Sequence, residues 1–367
     1  MSSFPAAAFR RPYNTYRALG ADLPWDDPVR AHGVAMEGYF WRFTDRSEAR
    51  GRTLIALIGV NRDRAGDHWA TVALGAWPAP MLATRAVPGG WADPAGLGVR
   101  GKDADGEVAF SGDEVRVRVD LGPGARLDVT IRDPRTWRDS GGGALLGGSS
   151  VFQMVPALNQ YWHPWLLGGK AYGVAEVGDD HWGLDGAQVY GEKNWGKEGF
   201  PDSWWWGQAH GFDDEEACVA FAGGQVQAGP LRTEVTALVV RLPDGEVVRL
   251  GNPGLSPVRA RVGDESWELS GRSLTGWRIE VQGKAPLADA HVLPVPLPAQ
   301  RRNTAGAIEH LGGLLDVTAH HRGRLVWEGH SSLAGLEHGG LARAEAELRR
   351  RGIPAGAVDA PPMTRPS

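Results

Sequence analysis

The chain has 367 residues and a formal net charge of -5, so it lacks the clustered positive charge on which nucleic-acid binding rests. Its single cysteine, Cys218, excludes an internal disulfide and any cysteine cluster for a metal, and fits a reducing, cytoplasmic setting. With 52 Gly, 25 Pro and 16 Trp, the composition describes many turns and large aromatic anchors rather than a helix bundle.

The N-terminal stretch MSSFPAAAFRRPYNTYRALG has no apolar run of the kind that a secretion signal needs, and no later stretch reaches about 18 apolar residues. A mature, soluble chain is the expectation. The first strong element is GVAMEGYFWRFTD, in which period-two alternation puts Glu37, Tyr39, Trp41 and Phe43 on one face of a strand. If that face is dry, desolvation keeps the Glu37 carboxyl protonated, as a general acid requires. The competing reading is an end-of-strand carboxylate paired with Arg30 or Arg42.

TLIALIGV and HWATVALGAW read as strands, and EVRVRVDLG alternates Val115, Val117, Val119 and Leu121 against Arg116, Arg118 and Asp120. RLDVTIRD follows a Gly-Pro-Gly turn, so residues 114–133 read as a hairpin. DSGGGALLGGSS, Asp139 to Ser150, is a Gly/Ser-rich weak spot. QVYGEKNWG then sets Tyr190, Glu192 and Asn194 on one face and Lys193 and Trp195 on the other. The first three can bind and move protons. The alternative is a Glu192–Lys193 surface pair with Trp195 plugging a barrel end.

In WWWGQAHGF, alternation assigns Trp204, Trp206, Gln208, His210 and Phe212 to one face and Trp205, Gly207 and Ala209 to the other. Indoles can fill a core, line a cavity, or stabilise a transient cation by roughly 0.5–2 kcal/mol each. TALVVRLPDGEVVRL, SPVRARVGDESWELSG and WRIEVQG continue the strand pattern, with Pro-Asp-Gly and Gly-Asp-Glu as turns. Only LARAEAELRRRG, Leu341 to Gly352, reads as helix, and the Pro-rich end from residue 353 to 367 reads as a disordered tail.

These elements predict an all-β protein: two tandem lipocalin-like antiparallel β-barrels or sandwiches with a short C-terminal helix. The expected division is a first domain over 1–204, a second over 205–352 and the tail over 353–367. A barrel of about eight strands can enclose one small ligand. No P-loop and no Gly-x-Ser-x-Gly elbow occurs, and the histidines, including His163, His181, His210, His320, His321, His330 and His338, lack metal-ligand spacing. We therefore expect neither cofactor nor metal.

The stretch YGEKNWGKEGFPDSWWWGQ resembles the signature of the tocopherol cyclase family, and MEGYFWRF, YWHPWLLGGKAYG and SSLAGLEHGG are similar to three further family segments, in the family's order. The chain departs from that pattern in the three-residue link Lys197, Glu198 and Gly199, and at Asp202, where plant members tend to carry a basic residue. The resemblance implies a two-lobed lipocalin-like fold that closes a prenylated hydroquinone to a chromanol ring without cofactor or metal.

On that scheme Glu192 is the proton donor, with Glu37 the alternative, while Tyr190 and Asn194 orient the phenol or the acid. Trp195, Trp204, Trp205 and Trp206 line the cavity, joined by Tyr39, Trp41, Trp162 and Gln208, and His163 accepts the phenolic proton. The implied partner is a hydrophobic small molecule, a prenylated aromatic or other isoprenoid. Access would come through transient contact with a membrane surface, and nucleic acid is not a partner. Two other readings use the same features: a non-catalytic isoprenoid carrier, and a hydratase that delivers water to the same cation.

Overall fold

The computed structural model describes residues 6–23, 28–140, 146–156, 158–228 and 231–354. The expected tail therefore lies outside the described residues, apart from Ile353 and Pro354. Among the described residues, strands between Met36 and Gly196 form one antiparallel sheet of twelve, and strands between Trp204 and Gly339 form another of ten. This is the all-β, lipocalin-like pair of sheets that the alternating sequence predicts. The second sheet begins at Trp204 itself.

Within each sheet most neighbours are also neighbours in sequence, as hairpin-forming turns dictate. The long-range closures matter most for function. The 17-residue strand Asp180–Gly196 returns to pair with Met36–Asp45, and Trp204–Ala209 is held between Cys218–Ala228 and Arg324–Gly339. The hairpin expected over 114–133 forms from Arg116–Asp120 and Ala125–Arg132, with Val117 and Val119 buried. Val115 precedes the strand and is exposed, because the Asp113 carboxylate turns the chain by accepting its amide hydrogen.

Two α-helices are present among the described residues. The expected one, Leu341–Arg350, closes the second sheet by burying Ala344 and Leu348 against Ala305. The other, Ala6–Ala18, was not expected, since Pro12, Asn14 and Thr15 depress its intrinsic helicity. Tertiary bonds hold it instead: the Tyr13 hydroxyl donates to Asp22, and the Arg17 guanidinium pairs with the same carboxylate at 3.2 Å. No helix among the described residues is long and apolar enough to cross a membrane.

The interiors of both sheets are filled. Tyr39, Trp41, Phe43 and Trp182 pack inside the first, and Trp205, Trp267, Trp277 and Trp327 inside the second. The expectation of a ligand enclosed by a barrel is thereby corrected. A third core lies between the sheets, where Phe40, Ile55 and Tyr190 meet Trp206, Val239 and Leu311. Arg42 pins that contact: fully buried, it donates to Gln208 Oε1 at 3.0 Å and to the carbonyl oxygens of Leu311 and Leu333 in the second sheet.

Candidate active site

A cavity of about 540 Å³ occupies the space between the sheets. Its mouth passes the exposed residues Thr233, Glu234 and Pro253, and its walls are largely apolar and aromatic, including Phe40, Leu57, Trp162, Leu293 and Val295. That size and character suit a hydrophobic small molecule. Three carboxyls line it, Glu192 and Glu309 buried and Glu337 half-buried.

Glu192 comes from Asp180–Gly196, where alternation turns Tyr190, Glu192 and Asn194 outward from the first core. Three groups donate to one of its oxygens, Oε2: the Tyr190 hydroxyl at 2.6 Å, Trp162 Nε1 at 2.8 Å and Trp206 Nε1 at 2.7 Å. Oε1 takes no hydrogen bond from a described residue, so a proton on this carboxyl belongs on Oε1. Burial raises the Glu192 pKa, and the three donors pull against that rise by favouring the carboxylate. The same burial, with the Glu192 charge beside it, pushes the Tyr190 phenol well above its ordinary range.

Glu309 and Glu337 are direct cross-strand partners. Trp204 Nε1 donates to Glu337 Oε1, whereas both Glu309 oxygens are buried with no N–H donor from a described residue. Burial and the neighbouring Glu337 charge push Glu309 well above the carboxylate range, against the pull of the Arg42 guanidinium. Burial also raises Glu337, to about 7, although the Trp204 N–H and a hydrogen bond from Glu309 stabilise its charge.

Neither Glu309 nor Glu337 was singled out in the sequence. A signal was present: each precedes a His and then a Gly-Gly pair, in EHLGG and EHGG. Only the register of two strands shows that they face one another.

Of the residues expected at the site, Glu192, Asn194, Trp162, Trp204 and Trp206 border the cavity, with Tyr190 bonded to Glu192 just behind the wall. Tyr39 and Trp205 touch its edge, but Tyr39 gives its hydroxyl to Glu37 and Trp205 gives its Nε1 to Thr236 while its ring packs in the second core. Trp204 and Trp206 do share one face and Trp205 the other. Phe212 departs from that pattern and joins Trp205 in the second core, because the strand ends at Ala209.

Several expected residues stand elsewhere. Trp195 stacks on Tyr161 at 5.6 Å and donates to the Gly20 carbonyl, and Trp41 is sealed in the first core beside Tyr39. Gln208 is committed to Arg42 and Cys218. His163 is buried with Nδ1 accepting the Gly148 amide at 3.0 Å, and burial followed by nearby cations lowers its pKa to about 3. It holds a neutral ring in place instead of receiving a proton from the cavity.

Glu37 is not a neutral acid. Burial would raise it, but Lys193 at 3.1 Å and His32 at 2.6 Å outweigh burial and take the carboxyl to about 2. The expected partners Arg30 and Arg42 are not the ones it uses, and Lys193 is fully buried with Glu37 rather than paired on the surface with Glu192. Register explains this, since Lys193 lies opposite Tyr39 and so points inward with it.

A family model described as tocopherol cyclase-like matches residues 125–340, more than half of the chain and all of the strands that supply Glu192, Glu309 and Glu337. Among solved structures, CghA with Sch210972 is similar at a TM-score of 0.53 and 13% identity, covering 84% of this chain and 89% of that one. Kievitone hydratase from Nectria haematococca gives a TM-score of 0.48 at 13% identity, over 83% of this chain and 89% of that one. At such identity the likeness to CghA is one of fold.

Proposed function

Because this chain belongs to the tocopherol cyclase-like family, and is in that coarse sense a cyclase-like enzyme, we propose that it closes a prenylated hydroquinone or related isoprenoid to a chromanol-type ring by acid catalysis. The observation that carries the reading is Glu192 in an apolar cavity, with its donors among the described residues all on Oε2 and Oε1 left for the proton. The reaction is an isomerisation: a C–H and a C–O bond form, while an alkene π bond and an O–H bond are lost. No electron changes hands, so the reaction calls for no redox cofactor.

Glu192 Oε1 gives its proton to the less substituted alkene carbon, and the tertiary cation forms beside the aromatic rings of Trp162, Trp206 and Phe40 that line the cavity. The carboxylate left behind is received by donors already in place, which need no reorganisation. Apolar walls limit competing hydration of the cation. Asn194 borders the same cavity and orients the phenol.

The test is turnover of a prenylated hydroquinone in deuterated water. The expected product is a ring carrying one deuterium next to the new quaternary carbon, absent in a folded Glu192→Gln variant. Ring closure at an undiminished rate in Glu192→Gln would remove this assignment, and a tertiary alcohol in place of the ring would make the enzyme a hydratase.

A further inference from the structure

Glu309 and Glu337 have no part in the step just described, yet two facing carboxyls, one buried and one half-buried, are costly unless they are used or neutralised. Cross-strand register sets them side by side on the cavity wall, and no N–H of a described residue satisfies Glu309. The partner within reach is the opposite carboxyl, so the pair is satisfied when one proton bridges the two. It stands on the second sheet, whereas Glu192 stands on the first.

We propose that Glu309 and Glu337 are a second acid–base station of this cavity, a carboxyl–carboxylate pair that takes the proton of the attacking oxygen while Glu192 supplies the alkene's. The inference rests on reading the cavity as a site of acid-catalysed alkene chemistry. As the oxygen lone pair forms the C–O bond, the O–H bond breaks and its proton enters the singly ionised pair, which then holds two protons. After product leaves, one proton goes back to solvent through the mouth, Glu192 is reprotonated, and the sum remains an isomerisation. Supply and removal from opposite walls suit addition of proton and oxygen to opposite faces of one alkene.

The groups facing the pair are few. Trp204 donates to Glu337 from the neighbouring strand, Arg42 approaches from the first sheet, Glu192 lies across the cavity, and His291 is opposite Glu309 in register on the strand His291–Leu297. Burial lowers His291, so it adds no full charge at neutral pH. The pair is therefore poised by burial and by one another, with Arg42 the cation that admits a single negative charge.

Infrared titration of the full-length protein in light and heavy water decides whether the pair exists. Wild type should show a carboxyl band that titrates around neutral pH. Glu337→Gln should abolish it, and Glu309→Met should move it to higher pH, because the hydrogen bond that stabilises the Glu337 charge is gone. A band unchanged in either variant overturns the proposal.

Its role is read with a prenylated hydroquinone in heavy water. Folded Glu337→Gln should close the ring at least about a hundredfold more slowly while deuterium still enters the recovered alkene, since Glu192 continues to form the cation. Undiminished closure, or loss of exchange together with closure, overturns the division of labour. The titration stands without substrate, so a wild type inert toward the hydroquinone sinks the proposed substrate and leaves the pair upheld.

Discussion

Trp204 and Trp206 sit two residues apart on one face of a single strand, yet their indole N–H groups serve different carboxyls, Glu337 and Glu192. Two strand residues span about 7 Å along the backbone, so one short element of the second sheet reaches an acid group on each sheet. The intervening Trp205 turns into the second core and anchors that strand through Thr236.

Trp206→Phe keeps most of the aromatic volume and removes one N–H from Glu192 Oε2. Donors to a carboxylate favour the charged form, so losing one raises the Glu192 pKa further. An acid catalyst loses activity as pH rises through its pKa. The alkaline limb of the pH–rate profile should therefore move to higher pH, and a limb that stays or moves down would count against Glu192 as the donor.

The faces of YGEKNWG and WWWGQ were legible because alternation is local: Tyr190 and Glu192 share a side, as do Trp204 and Trp206. What alternation could not say is which side is barrel interior and which lies between the sheets, because both are dry and the polar-out signal is lost. Trp195 and Trp41 were assigned to the cavity for that reason and lie in other cores. Lys193 meeting Glu37, and Glu309 meeting Glu337, depend on register between separate strands, which no short motif encodes.

Arg42→Met should weaken the join between the sheets. The guanidinium serves Thr44, Gln208 and two carbonyl oxygens, all in buried surroundings, and methionine can satisfy none of them. Leaving one such group unpaired costs about 1–3 kcal/mol, and four lose their donor here, so a total loss of at least about 2 kcal/mol is expected by urea denaturation. Unchanged stability would mean that the sheets are held by apolar contact alone.

Gly339→Ala tests how tightly Trp204 is placed. A Cβ at residue 339 would overlap the Trp204 indole, which must shift along the cavity wall to relieve the overlap. The expected cost is about 1–3 kcal/mol, as for other overpacked positions. Displacing the indole also takes its N–H from Glu337, raising that pKa because a donor to the charge is lost. A melting temperature and Glu337 titration equal to wild type would show that the indole is not held there.

Glu37 makes a separate prediction about acid stability. Its carboxyl falls from an ordinary 4.5 to about 2 in the folded chain, since Lys193 and His32 outweigh burial. Between those values the unfolded chain binds the proton and the folded chain does not, so falling pH favours unfolding. The contribution is fully present above about pH 4.5 and is lost as pH falls toward 2. Glu37→Gln should flatten stability against pH across that window, but it also strands the buried Lys193 ammonium and so lowers stability at neutral pH. Removing both charges in Glu37→Gln/Lys193→Met should recover much of that neutral loss while keeping the flattened profile. A double variant no more stable than Glu37→Gln would show that the cost lies in lost packing and hydrogen bonds to Tyr39 and Gly33 rather than in the unpaired ammonium.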